Sequence, residues 1–529
     1  MKTPNRIHVV RAGALALALA FGSKAWAAPS KPLAKDLVQV ASVAFPAGQI
    51  PLDAALGDVD GDGLRDLIVA LGPQEGRGRR HWNWYARNAA TGGFAQTATQ
   101  SFDLPADVLA FALADLDPAK GNEVLLLTPR GAYVLLPNAP EAERFRRLVE
   151  VDCLWQLPDE KQLVHWPRAI ADFDGDGLAD LMIPSLGGYV CAMQRRAEGA
   201  SRFEPHELPL LPRLPFQEGE KGPLQVTSAS AKAEFELRLS SPLGPTVLVS
   251  VSDELPTPFV LDADGDGKLE LLAQDDTQLQ WFAGSAEGAQ APAESNPAPV
   301  VVDERRALDV SFASLLGDVN GDGRMDWVLA AGDQRASKPR TQVLVHFQRV
   351  PGSSEEPRFS STPDQVLVLD GFAGDVRLCD LNGDGRLDLS LVALRPDLLQ
   401  AITQGSTDRY ELEQYIYLNE GGALSRRPIL AEKLSFRSEE SLPSMEFVRD
   451  LTGDKIAEFF WRPEAGKLRV SMVNTRGERW SLLERPLWEL GIDRDARLVV
   501  YSIQGAGAMA PVLDHVLVIG SKDLSVVEF

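Results

Sequence analysis

The chain has 529 residues, 44% of them hydrophobic and 24% charged, with a formal net charge of −22. That composition excludes a wholly disordered chain and a polytopic membrane protein. The acidic balance argues against nucleic acid as the main partner, because a phosphate backbone is bound by clustered Lys and Arg. Length alone suggests several domains, but an internal repeat overrules that prior. The 44 Gly and 36 Pro point to many turns, as in all-β folds.

At the N-terminus, Lys2, Arg6 and Arg11 precede a short apolar stretch, residues 12–22, and Ala25-Trp26-Ala27 supplies small residues at a cleavage position. This reads as a signal peptide over residues 1–27, so the protein is expected to be exported: secreted, periplasmic or surface-associated. Residues 28–36 read as a flexible tail. No other apolar run reaches the ~20 residues that a membrane helix needs. Three cysteines, Cys153, Cys191 and Cys379, leave at least one thiol unpaired. Buried thiols and a Cys153–Cys191 bridge both fit.

An orphan strand at Leu37–Phe45 comes next, followed by a nine-residue acidic pattern that recurs along the chain. It reads DVDGDGLRD from Asp58, DFDGDGLAD from Asp172, DADGDGKLE from Asp262, DVNGDGRMD from Asp318 and DLNGDGRLD from Asp380. Decayed copies start at Asp115 and Asp450. The spacing is roughly 60 residues, with one wider gap, which marks an array of one supersecondary unit. An apolar run precedes each copy. A β-branched run follows, such as Leu67–Leu71 or Val124–Leu127, and reads as a buried strand.

Third strands are expected at His81–Arg87, Ala132–Leu136, Gly188–Met193, Gln278–Phe282, Gln342–Phe347, Tyr415–Leu418 and Lys467–Val473, and a more polar fourth closes each unit, as at Thr97–Leu104. Four antiparallel strands repeated radially make a β-propeller. Within the wide gap, residues 210–256 hold an inserted hairpin, and Ala283–Pro299 reads as a flexible loop. The C-terminus supplies three strands, Leu498–Ile503, Val516–Ile519 and Leu524–Phe529, without an acidic loop. Pairing them with the orphan N-terminal strand would lock a ring of eight blades. A C-terminal cap would leave seven. The whole of residues 37–529 is expected to be one all-β propeller domain.

The acidic loop suits a hard cation. Carboxylates or amides stand at its positions 1, 3, 5 and 9, and glycines at 4 and 6 let the backbone wrap tightly. Position 1 is Asp58, Asp172, Asp262, Asp318 or Asp380. Position 3 is Asp60, Asp174, Asp264, Asn320 or Asn382, and position 5 is Asp62, Asp176, Asp266, Asp322 or Asp384. Position 7 would offer its carbonyl: Leu64, Leu178, Lys268, Arg324 or Arg386. Position 9 is Asp66, Asp180, Glu270, Asp326 or Asp388. Position 12, where an EF-hand has its bidentate Glu, is apolar in all five: Val69, Ile183, Ala273, Leu329 and Leu391. The last ligand is therefore expected at position 9. Five Ca²⁺ sites are expected, and up to seven if the weaker sets Asp115, Asp117, Glu123 and Asp450, Asp454, Glu458 also bind. Those two copies carry Ala119, Thr452 and Lys455 at loop positions. A metal-free, Asp/Gly-rich turn is the plain alternative.

The pattern resembles the FG-GAP/VCBS repeat family, the propeller repeat also found in integrin α-subunit heads. The resemblance includes an aromatic third strand followed by Asn and Gly, at His81–Phe94 and Tyr415–Gly422. It implies a propeller with Ca²⁺ in these loops on one face and ligand contacts on the other, and it does not imply one function, because fold does not fix function. The sequence holds no HExxH, GxSxG or P-loop motif. Trp82, Trp84 and Tyr85 read as core or as a sugar platform. Arg77, Arg79 and Arg80 read as a solvated loop or as an anion patch, on a face shared with a long loop at Leu394–Glu413. The reading reached is an exported, calcium-stabilised binding, scaffold or adhesion protein, expected to be a monomer, with a protein or glycan ligand. The alternative is a secreted polysaccharide-active enzyme such as a lyase, and the sequence does not decide whether there is catalysis.

Overall fold

The computed structural model describes residues 38–529 except 75–77, 119, 137–138, 141–142, 154–162, 167–168, 186–187, 198–199, 210–230, 240–246, 256, 275–277, 283–293, 298–309, 334–339, 352–357, 395–408, 438–444, 465 and 504–511. The expected signal peptide and tail, with Arg77 and Ala119, lie outside the described residues.

Every element among the described residues is a strand, with no α-helix. The first unit runs Gln49–Gly57, Asp66–Pro73, His81–Tyr85 and Gln100–Asp103, paired antiparallel in that order. The same meander recurs six times. Its opening strands are Ala110–Ala114, Ile170–Ala171, Thr257–Leu261, Val310–Gly317, Phe372–Cys379 and Met445–Val448. An acidic loop joins the first and second strands of each. The N-terminal strand Gln39–Ala44 pairs antiparallel with Asp523–Glu528, from Gln39↔Glu528 to Ala44↔Asp523. It thereby completes a meander with Val512–Ile519 and Arg497–Ile503. A parallel bridge, Val448↔Leu513, links that sheet to the preceding unit.

Burial explains the sequence pattern. Second strands lie between two neighbouring sheets, so both faces are covered and the run is continuously apolar: Leu67, Ile68, Val69, Ala70 and Leu71 are all buried. Fourth strands have one face in solvent and alternate, as Gln365–Asp370 does with Leu367 and Leu369 inward and Val366 and Val368 outward. Each core cluster joins one sheet to the next. Ile68 and Trp82 pack with Phe111 and Val124, Leu125 with Leu181, and Met182 with Leu271. Leu272 then packs with Trp327, Val328 with Leu389, Ile416 with Phe459 and Phe460 with Val516. The last cluster returns to the start, with Leu517 and Val526 against Leu67 and Tyr85.

Some expectations change. Residues Glu294–Pro297, inside the expected flexible loop, form a strand against Gln278–Trp281, because the third strand needs an outer partner. Its Pro sits at the sheet edge, where a missing N–H costs nothing. The third strand expected at Tyr415–Leu418 begins at Arg409, so most of the expected long loop, residues 395–408, lies outside the described residues. Trp82, Trp84 and Tyr85 are core, not a surface platform. The three cysteines are buried and unbridged. Within the inserted segment, Ala231–Leu239 pairs with Val247–Leu255 as a separate two-stranded sheet.

Three ion pairs cross between the first unit and the C-terminal meander: Arg65 with Asp514, Arg87 with Glu528, and Arg497 with Asp53. Removing residues up to Ala44 should strip the outer partner from Asp523–Glu528 and expose an unpaired edge. Thermal melting with light scattering should show a lower transition and aggregation, whereas deleting residues 30–35 should change neither.

Candidate metal centres

Each acidic loop except the one at Asp115 is wrapped by its own first Asp. In the Asp58 loop, Asp58 Oδ1 accepts the Gly61 N–H at 2.7 Å and Oδ2 accepts the Gly63 N–H at 2.9 Å. The same pair of bonds recurs at Asp172, Asp262 and Asp318. To present those amides, the glycines at positions 4 and 6 take left-handed φ, 74° at Gly61 and 89° at Gly63. Position 5 accepts the N–H of position 7: Leu64 to Asp62, Leu178 to Asp176, Lys268 to Asp266, Arg324 to Asp322 and Arg386 to Asp384.

Position 9 is buried in every loop but one, where Glu270 is half-buried. Asp66, Asp180, Asp326 and Asp388 use one oxygen to accept the position-2 amide, at Val59, Phe173, Val319 and Leu381. The other oxygen accepts an amide just past the third strand at Arg87, Gln348 and Asn419, and within the third strand at Gln194. Glu123, Glu270 and Glu458 also hold the position-2 amide. Burial pushes the Asp180, Asp326 and Asp388 carboxyls up to about 6, and Glu123 and Glu458 up to about 7, with neighbouring loop acids adding to the rise.

Four loops bring three acids together with ligand atoms within 4.8 Å of one another: Asp58, Asp60, Asp62; Asp172, Asp174, Asp180; Asp262, Asp264, Glu270; and Asp450, Asp454, Glu458. The Asp318 and Asp380 loops have Asn320 and Asn382 at position 3; Asp318 wraps its loop like the others, and Asp380 holds the Asp384 and Gly385 amides. The donor set is all oxygen, which suits a hard divalent cation. Asp264 Oδ1 is buried with no hydrogen-bond partner. An orphaned carboxylate oxygen costs on the order of 1–3 kcal/mol or more, and a cation would satisfy it. The residues present therefore fit Ca²⁺, with positions 1, 3, 5 and 9 as side-chain donors.

The two decayed loops differ from each other. The Asp450 loop keeps the full wrapping, with Gly453 and Lys455 amides on Asp450. In the Asp115 loop, by contrast, arginines reach the acids: Arg196 meets Asp115 at 2.9 Å and Arg146 meets Asp117 at 2.5 Å. Arginines also approach two intact loops, Arg195 at Asp174 and Asp176, and Arg358 at Asp264 while stacked 4.1 Å over the Trp281 ring. None of these arginines stands out in the sequence, because they come from third and fourth strands, or for Arg358 from the connection between them, at variable distances from the loops they meet.

The expected anion patch is engaged locally. Arg79 pairs with Asp103 at 2.8 Å, and Arg80 is buried, donating to the Pro105 and Ala106 carbonyls. The pocket at Val59, Ile68, Trp82, Trp84, Phe102, Val124 and Leu135 is apolar and has no titratable side chain.

Residues 262–329 match the family model of the FG-GAP-like repeat. This stretch starts at Asp262, the first residue of one acidic loop, and ends at Leu329, in the strand that follows the next. That stretch of the chain is FG-GAP-like repeat. A crystal structure of Sqt1 from Chaetomium thermophilum is similar at 12% identity and a TM-score of 0.41, over 92% of this chain and 98% of that one. So loose a likeness carries no functional message. No curated protein gives a match. FG-GAP repeats suggest a propeller of the binding or adhesion type, and no helix among the described residues is long and apolar enough to cross a membrane.

One acidic loop is strained by its sequence. Lys455 stands at position 6, where the five intact loops have Gly, and takes a left-handed φ of 71°. That conformation costs about 1–2 kcal/mol for a residue with a side chain, partly offset by the extra freedom that Gly loses on folding. Lys455→Gly should raise stability by about 0.5–1 kcal/mol in thermal or urea melting, and a loss of stability would contradict the strain.

Proposed function

We propose that this protein is an exported, calcium-stabilised propeller of eight four-stranded blades, closed by its N-terminal strand, that works as a binding or scaffold module for a protein or glycan ligand. Calcium would occupy the Asp58, Asp172, Asp262, Asp318 and Asp380 loops, and the Asp450 loop is the stronger of the two decayed candidates. The Asp115 loop, with Arg146 and Arg196 at its acids, is the weakest. The observation that carries the reading is Asp264 Oδ1, a buried and unpartnered oxygen inside a trio of acids. Eight blades are supported by the seven loop-bearing meanders together with the composite one, and closure by the Gln39–Ala44 pairing and the three crossing ion pairs.

Substitution at position 3 separates a metal site from a turn. Position-1 acids hold the loop backbone with or without a cation, so Asp58→Ala or Asp172→Ala is destabilising in either case. Asp264→Asn keeps the shape and an acceptor oxygen but removes a charge. In millimolar Ca²⁺, the concentration range that extracellular calcium modules need, it should melt below wild type, by about 1 kcal/mol if affinity falls about tenfold. With chelator present it should melt at or above wild type, because like charges no longer crowd. Chelator should also lower the wild-type transition, since a ligand bound only by the folded state stabilises it. Identical behaviour of Asp264→Asn and wild type in both conditions would leave only the turn.

A further inference from the structure

The acidic loops are tied to one another, and the ties run through the residues between their ligand positions. The position-2 peptide is shared. Its N–H goes to the position-9 carboxylate of its own loop, and in several loops its carbonyl accepts a bond from the next loop. Met325 N–H, beside Asp326, donates to Ala263 O at 2.9 Å, and Ala457 N–H, beside Glu458, donates to Leu381 O at 2.9 Å. Asn419 joins the intervening pair. Its N–H donates to Asp388 Oδ1 at 2.7 Å, and its Nδ2 donates to Val319 O at 2.7 Å and to Leu387 O at 3.1 Å. A continuous path of hydrogen bonds thus links the Asp262, Asp318, Asp380 and Asp450 loops.

A second path links the Asp58, Asp115 and Asp172 loops. Asn122 N–H donates to Asp58 O at 2.5 Å, and Gln194 donates its N–H to Asp180 and its Nε2 to Leu116 O at 3.4 Å. Among the described residues no hydrogen bond joins the Asp172 loop to the Asp262 loop. The inserted segment falls in the sequence between those two.

We infer that cation binding is positively coupled within each of these two arcs and independent between them, with Asn419 as the positioning residue that joins the Asp318 and Asp380 loops. The inference rests on the calcium reading above. Loading one loop orders its position-9 carboxylate, and with it the position-2 peptide whose carbonyl the next loop grips, so the neighbour's ordering cost is already met. Linkage then requires each loop to raise its neighbour's affinity by the same factor.

The test is isothermal calcium titration of the full chain, with calcium alone as the probe. Asp322→Asn weakens the Asp318 loop directly. Coupling predicts that at least two ions shift to weaker binding, by about fivefold or more, while the sites of the Asp58–Asp172 arc keep their affinity. In an Asn419→Ala background, the same substitution should no longer affect the Asp380 and Asp450 loops, provided a cooperative melt shows that this variant folds. The Asp322→Asn comparison stands without it. A shift confined to a single ion overturns the coupling and leaves the calcium reading intact. An absence of calcium uptake by wild type overturns both.

Discussion

The carboxylate at the ninth position is buried in every acidic loop but that of the half-buried Glu270, and where it is Asp its two oxygens face different partners. One holds the amide that starts the loop, and the other holds an amide late in the third strand or just past it. A single side chain therefore sets where the loop turns and how the third strand ends beside it. Taking a carboxylate out of water is costly unless its lone pairs are met, and here two backbone donors meet them in each of four sheets. The rest of the loop follows. With position 9 held, the first Asp can gather the glycine amides, and positions 3 and 5 are left close together with charge to spare.

That surplus charge is what an acidic chain must balance. Arginines do so at the Asp115 loop, and a hard cation fits the remaining donor sets. The surface pairs among these contacts contribute little individually. Between sheets, the apolar clusters carry most of the stability, since each second strand is covered on both faces. The seam between the first unit and the C-terminal meander has both kinds of contact, an apolar cluster and three ion pairs.

Much of this architecture was legible in the sequence because it is local. Asp-x-Asp-x-Asp spacing, the paired glycines and the apolar run after position 9 lie within a dozen residues, and they recur. The N-terminal strand could be matched to the chain end only because the last three strands lacked a fourth. The partners of position 9 could not be read. Gln194, Gln348 and Asn419 stand 14, 22 and 31 residues beyond the Asp that each one meets, because the turn between second and third strands varies in length. The same variability hid Arg195, and Arg358 stands 94 residues from the Asp264 that it meets, in the neighbouring unit. Glu294–Pro297 was missed for a different reason: an outer strand needs little hydrophobicity, and a stretch rich in Ala, Pro and Ser carries no alternation to reveal it.

The most direct test of the ninth-position account is the stability of Asp388→Asn with chelator present. Without metal, the only work left for this side chain is to accept the Leu381 and Asn419 amides, and Asn offers one acceptor oxygen with an NH₂ facing the second amide. The substitution should cost about 1–3 kcal/mol in denaturant unfolding, the cost of a buried donor left unmet. Unchanged stability under chelator would contradict it.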